Sequence, residues 1–293
     1  FFPPDSIRMR IKDGPFSDKL NLFPFPTKLR TLQIDFINDD ICAILPHGLK
    51  ALDVKQGLIT NKGASKLPKS LTSLKACLDV LDNNESISFL QHISKIELST
   101  TQSPAGDLNP NWLSSLLPSS SSFPTPNGDC VSVGCTDIYE NNNYHLTSFS
   151  IVGTRYGGTP LVQKPFFDSL QHFKNLKTLK IWDCKGISSD WLCLIPKNVT
   201  RLRVSHLNTF ITATQLSTLP QSLTHLSIGV KSKAGELFEW KDTTLQSLPR
   251  SLQEFWIDAP IQGLTQRMYE YLPPNLHHFR YVTSGSKCVF FSP

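Results

Sequence analysis

The sequence predicts an α/β solenoid: short parallel strands stacked side by side on one face, with short helices returning behind them. Two observations carry this. A ten-residue unit recurs along the chain with three apolar positions at fixed offsets. Seven of its ten copies begin with a proline preceded by a large apolar residue. Fixed-period self-similarity is the mark of a fold in which each unit buries its apolar face only against its neighbours.

The unit reads FPTKLRTLQI at 25–34, LPHGLKALDV at 45–54, LPKSLTSLKA at 67–76, IPKNVTRLRV at 195–204, LPQSLTHLSI at 219–228, LPRSLQEFWI at 248–257 and LPPNLHHFRY at 272–281. FLQHISKIEL at 89–98, NNYHLTSFSI at 142–151 and HFKNLKTLKI at 172–181 lack the proline. The first slot runs from Leu29 and Leu49 to Leu276, the second from Leu32 and Leu52 to Phe279, the third from Ile34 and Val54 to Tyr281. Every slot is apolar, although apolar residues make up only 39% of the chain. The prolines are the stricter test: with 21 in 293 residues, ten random positions would hold fewer than one.

The second and third slots are two residues apart, the period of a strand, so both side chains point to one interior. The first slot reaches that interior where the chain turns into the strand. The strands all run the same way, so each repeat needs a crossover. The stretches before the prolines supply it: NDDICAILP at 38–46, SSDWLCLIP at 188–196, TATQLSTLP at 212–220, KDTTLQSLP at 241–249 and TQRMYEYLP at 265–273. Each opens on residues suited to capping a helix and closes on apolar residues three or four apart, which predicts a short helix. The residue before a proline is pushed out of the helical region, so the helix stops there.

This LPxxLxxLxI unit resembles the leucine-rich repeat family, and within it the proline-bearing branches: the short repeats of secreted bacterial effectors and the FNIP repeats of amoebae. The resemblance covers about residues 25–281. It implies a leucine-rich repeat horseshoe with a parallel concave sheet and short helices on the convex side. It also implies a protein-recognition role, such as the substrate-selecting part of a ubiquitin ligase. The Phe-Asn pair of the FNIP repeat is missing. The Asn or Cys that the family places three residues after the third slot is present only as Cys184; Ile37, Gly57, Asp79 and Leu207 stand there in other copies.

We therefore expect residues 1–293 to form one solenoid of about ten or eleven repeats, Ile7–Ile11 being a further degenerate copy. The chain opens on Phe1 without an initiator methionine, so an upstream part of a longer chain is expected. An insertion is expected at about 99–143, where Leu113, Leu116, Leu117 and Pro118 look like one more crossover ending before a Ser/Pro-rich stretch. It reads as a rim loop, with a partner-binding or phosphorylated loop, and a metal or redox pair at Cys130 and Cys135, as the sharper alternatives. The tail 287–293 reads as an end cap or a truncation.

In such a fold the residues beside the slots face outward on the concave side. Four such positions per copy hold ten basic and five acidic residues, an excess equal to the +5 of the whole chain. The C-terminal copies are the richest. They present Lys177, Lys180 and Trp182, then Arg201 and Arg203, then His225, then Trp256, and finally His277, His278 and Arg280. Arg and Trp are common energetic anchors of interfaces, so these residues are the candidate binding surface for a protein with an acidic surface. The alternative is a solvated face of scattered charges.

No sequence pattern for nucleophilic, metal-dependent or dinucleotide chemistry occurs, so no catalytic residue, cofactor or metal is expected and the chain is read as non-enzymatic. His277 and His278 diverge as neighbours on a strand, which argues against joint chelation. Cys42, Cys77 and Cys193 read as core or helix residues, and Asn198-Val199-Thr200 as a chance glycosylation tripeptide. The longest apolar runs, Ile41–Leu45 and Trp191–Ile195, are far short of the roughly 20 residues a membrane helix needs. Unpaired cysteines favour a reducing cytoplasm or nucleus, and we expect a monomer. The competing functions are nucleic-acid binding through the basic face and the regulatory half of an enzyme.

Overall fold

The local rule of the chain is visible at each proline. In the computed structural model, which describes residues 7–11, 25–77, 92–99, 145–153, 161–230, 238–283 and 288–291, the residue before the proline is extended: Leu45 (φ −61, ψ 137), Ile195 (φ −67, ψ 130) and Leu248 (φ −70, ψ 145). The proline carbonyl then accepts a hydrogen bond from the first-slot N–H three residues on, as in Leu49 to Pro46 and Val199 to Pro196, both 3.0 Å. The proline thus ends the crossover and opens the tight turn that aims the chain into the next strand.

The strands follow in chain order: β1 (Arg8–Ile11), β2 (Thr31–Ile37), β3 (Ala51–Gly57), β4 (Ser73–Cys77), β5 (Lys95–Ser99), β6 (Ser148–Val152), β7 (Thr178–Trp182), β8 (Arg201–Leu207), β9 (His225–Val230), β10 (Phe238–Glu239), β11 (Glu254–Gln262), β12 (His278–Thr283) and β13 (Cys288–Phe291). They form one 13-stranded sheet in sequence order, except that β10 pairs with the far end of β11. Neighbours are parallel throughout the repeats, and β13 returns antiparallel onto β12. The parallel solenoid predicted from the slots is the fold observed. Strand β5 hydrogen-bonds directly to β6 across a sequence separation of 53 residues, so no strand intervenes between them. The insertion beyond Ser99, with its cysteines and crossover ending, lies outside the described residues, as does Asp79.

Second-slot residues align across the sheet, Leu179 opposite Leu202 opposite Leu226 opposite Phe255 opposite Phe279. Every slot residue is buried except Tyr281, which is half-buried in β12. A second ladder runs along the strand entries. The carbonyl of Lys177 accepts from the N–H of both Thr200 (2.8 Å) and Arg201 (3.0 Å), and that of Thr200 from Thr224 (2.8 Å) and His225 (3.1 Å); the same pattern extends from Ile7 to Gln253. Thr72, Ser94, Thr147, Thr200 and Thr224 add their hydroxyls to the same carbonyls. Ser70, Ser222 and Ser251, one position before the first slot, each place a hydroxyl within 2.8 Å of two carbonyls of the preceding turn. These variable positions are therefore fasteners between repeats rather than neutral filler.

The crossovers split into two kinds. α1 (Asp39–Ile44), capped by Asn38, and α4 (Ala213–Ser217), with a capping box between Thr212 and Gln215, are α-helical. Ser189–Leu194, Asp242–Ser247 and Gln266–Glu270 are 3₁₀ turns. A crossover of five or six residues is short enough for the tighter i→i+3 pattern to serve. Two helices fall outside the predicted set: α2 (Asn61–Ala64) and α3 (Lys164–Leu170). α3 buries Phe166 and Phe167 in the crossover before 172–181, one of the three copies that lack the closing proline. Carboxylates tie successive crossovers together. Asp39 accepts from the N–H (2.9 Å) and hydroxyl of Thr60, and Asp242 from the N–H (2.8 Å) and hydroxyl of Thr265. Burial pushes the Asp39 carboxyl up, but the Thr60 bonds outweigh it and hold it below its ordinary range.

Of the positions where the family carries Asn or Cys, Ile37, Cys184 and Leu207 are buried, while Gly57 adopts φ 114. A Cβ on Gly57 would sit on the Ile37 carbonyl oxygen, which accepts from Leu58 N–H at 3.1 Å. Gly57→Ala is therefore expected to cost at least ~1–3 kcal/mol, the range for a strained backbone conformation. A thermal melt unchanged within a degree would refute it.

Candidate functional site

The concave face is built by the strand alternation itself. Between β7 and β12 two outward rows lie side by side. One holds Thr178, Arg201, His225, Glu254 and His278; the other holds Lys180, Arg203, Ser227, Trp256 and Arg280. Neighbours in a row are about 4.8 Å apart, the spacing of strands. The two rows border a pocket of about 300 Å³ floored by the edges of Leu179, Leu202 and Leu226.

The sequence-predicted residues divide against this pocket. Lys180, Arg201, Arg203, His225 and Trp256 line it together. Trp182 is not among the lining residues, but its ring centre is 3.8 Å from the Arg203 guanidinium carbon, so that it fixes Arg203 in place. Arg280 packs in the same manner toward Trp256 at 5.7 Å. Lys177 and His278 are exposed but are not among the lining residues. Glu254, Thr178 and Ser227 line the pocket although they are absent from the predicted set; their place in the two rows was the signal that would have found them.

Two expectations about the face need correction. The position after the third slot does not face outward uniformly: Asp35 is 8% exposed and Ser205 3%. In β8 the register slips between Val204 and Leu207, Ser205 turns inward to accept from Asp183 N–H at 2.7 Å, and His206 takes a left-handed φ of 61. His277 and His278 are not successive residues of one strand. Both are exposed, because His277 precedes β12 and belongs to the strand-entry ladder.

The electrostatics change along the sheet. Toward the N-terminus two of the cations are answered by carboxylates: Lys55 meets Asp35 at 2.7 Å and Lys75 meets Glu97 at 2.8 Å. Within the pocket, Lys180 and Arg203 are direct neighbours of like charge. Among the described residues, no carboxylate lies within ion-pair distance of Lys180, Arg201 or Arg203. Burial and the adjacent Arg203 guanidinium hold the Lys180 ammonium below its ordinary pKa, against the pull of Glu97 and Asp183. The Arg203 Nε is buried and finds no acceptor. Glu254 stands instead beside His225 Nε2 at 3.6 Å.

Other candidates have structural places. Cys42 and Cys184 are buried, and burial pushes both thiols up to about 12; Cys193 is exposed and lies in the 3₁₀ crossover Ser189–Leu194. The Asn198 side chain donates to Lys174 O at 2.6 Å and Val199 is fully buried, which fits a chance tripeptide. Among the described residues no group of three or more His, Cys, Asp or Glu is placed to hold a metal ion, and no helix is long and apolar enough to cross a membrane.

No family model matches this sequence, and no curated protein matches it. Among solved structures the chain is similar to CroV588, described as a novel circular LRR protein, at 17% identity over 86% of this chain and 33% of that one, TM-score 0.44. It is similar to an internalin (InlF) from Listeria monocytogenes at 12% identity over 85% of this chain and 60% of that one, TM-score 0.48. It is also similar to TLR13, in its complex with ssRNA13, at 19% identity over 82% of this chain and 34% of that one, TM-score 0.48. The alignments thus span 33%, 60% and 34% of those chains.

Proposed function

We propose that this leucine-rich repeat solenoid is a protein-binding module that grips an acidic partner through the concave face of its C-terminal half. The observation that carries the reading is the convergence of Lys180, Arg201 and Arg203 in one pocket, with no carboxylate at ion-pair distance among the described residues, beside a Trp256 that is 43% exposed. A large exposed aromatic next to arginines has the make-up of an interface anchor. Lys55 and Lys75 on the same face meet carboxylates of the fold, so the concentration of cations here suits a surface that receives its counter-charge from outside. On this reading the chain is the recognition part of a larger protein, such as a substrate receptor of a ubiquitin ligase with proline-bearing repeats. It works in the cytoplasm or nucleus, where free thiols such as Cys42 and Cys184 stay reduced.

The test is a capture experiment from extract with the wild-type chain and with Arg201→Ala, Arg203→Ala and Trp256→Ala combined. These side chains lie outside the apolar core, so the variant should keep its melting temperature within a few degrees, on the order of the ±0.5 kcal/mol of ordinary surface changes per site, while losing its partner. A partner retained by the triple variant would remove the concave-face reading. A retained species that proves to be nucleic acid, released steeply by salt, would reassign the face.

A further inference from the structure

Resting on the concave-face reading above, we propose that the pocket between β7, β8, β9 and β11 is a seat for one peptide-borne oxyanion, a carboxylate or a phosphoryl group, held between the Lys180 ammonium and the Arg203 guanidinium. Four features of the molecule lead there. Lys180 and Arg203 are register partners on adjacent strands, and like charges directly opposite each other on a sheet are destabilising. On the same row, Lys75, three strands from Lys180, has Glu97 as its cross-strand counter-ion at 2.8 Å. Among the described residues, Lys180 and Arg203 have no such counter-ion.

Arg203 is also pre-set. Its guanidinium rests on the Trp182 ring at 3.8 Å, which fixes the plane of the fork, and its Nε is buried without an acceptor. A buried donor left unmet is a standing cost that an arriving acceptor removes, and a guanidinium edge matches an oxyanion through two parallel bonds. The depressed pKa of Lys180 under burial and Arg203 has the same sense: an anion between the two relieves both.

Size and charge limit the ligand to one group. The pocket holds about 300 Å³, room for a side chain and the backbone beside it. At the far end Glu254, next to His225, repels a second anion. The exposed ring of Trp256 on the remaining wall offers apolar surface to the residue that follows the acidic one.

The experiment uses the ¹⁵N-labelled chain and follows arginine Nε–H resonances while blocked tripeptides Gly-Glu-Gly, Gly-phosphoserine-Gly or Gly-Gln-Gly are added. The Arg203 signal is identified by its loss in Arg203→Gln. It should move and saturate with the two anionic peptides and not with the glutamine peptide. Lys180→Gln should weaken that saturation about tenfold, and Lys50→Gln, a cation of the same face outside the pocket, by less than about twofold. Comparison of the glutamate and phosphoserine peptides tells which source of the oxyanion the seat prefers. No saturating movement with either anionic peptide, or equal loss in Lys50→Gln, overturns the seat. If the glutamine peptide saturates as well as the glutamate one and both are lost in Trp256→Ala, the seat falls while the concave-face reading stands. If the seat saturates but partner capture survives the triple alanine variant, the concave-face reading falls instead. A uridine oligonucleotide saturating the same signal below either peptide overturns the peptide source.

Discussion

Replacing Trp240 by alanine is expected to destabilise the C-terminal repeats by about 3–5 kcal/mol, the range for removing a buried large aromatic. The indole is 2% exposed. It sits behind the sheet, where residues from three successive repeats meet. Its ring faces Phe255 in β11 (centroids 6.3 Å, 19° between planes) and leans on Phe210 at 5.6 Å. Phe210 in turn stacks on Phe238 at 4.2 Å, and Phe255 on Phe279 at 5.3 Å. The indole N–H donates to the buried Ile211 carbonyl at 3.2 Å. Trp240→Ala thus opens a cavity and orphans an acceptor together. Trp240→Phe separates the two effects: it keeps most of the ring and leaves the carbonyl unmet, a loss of about 1–3 kcal/mol. Urea unfolding of both variants checks the order, alanine below phenylalanine below wild type. Amide exchange should locate the damage in β9, β11 and β12, with β2 to β4 still protected, because each repeat touches only its neighbours. An alanine variant within about 1 kcal/mol of wild type would show that this aromatic column contributes little.

Trp240 also marks where the sequence stops being informative. The slot leucines were legible because their spacing recurs and burial of each depends only on strand period; Leu52, Leu179 and Leu226 are buried as that period demands. The crossovers at 38–46 and 212–220 were legible because Asn38 and Thr212 cap them and prolines close them. Trp240 follows a stretch that belongs to no copy of the unit, so no neighbour in register announces it. α3 was missed for the related reason that its proline, Pro165, opens the helix instead of closing it. The left-handed turns at Asp183 and His206 carry no glycine to betray them, and with them goes the inward rotation of Ser205. The site shows the same division. Which side chains share the face between β7 and β12 follows from register alone, and most of the pocket was found that way. That Trp182 clamps Arg203, that Nε of Arg203 lacks an acceptor, and that Glu254 turns to His225 are matters of side-chain geometry, which spacing does not encode.

The second large effect is expected at the middle of the ladder. Leu202 is 2% exposed in β8, with Leu179 and Leu226 as its partners on either side. Leu202→Ala should cost about 2–5 kcal/mol, whereas Leu202→Met, which conserves volume, should cost less than about 1.5 kcal/mol. The size of the loss is less telling than its form. In a linear array, stability is a sum of repeat terms and nearest-neighbour interfaces. A defect in β8 weakens the interfaces on both of its sides and divides the array, while among the described strands a defect in β2 has only β1 beyond it. Leu202→Ala should therefore broaden urea unfolding into two steps, with a reduced apparent m-value for the first. Leu32→Ala, at an equally buried second slot, should lower protection at the N-terminal edge and leave the main transition single. The strand-entry carbonyls reinforce this expectation, since Lys177 O and Thr200 O join β7 to β8 and β8 to β9 by two N–H bonds each, and these interfaces open together once the leucine between them is gone. Identical unfolding profiles for Leu32→Ala and Leu202→Ala would mean that the chain unfolds as one cooperative body and that position along the solenoid carries no weight.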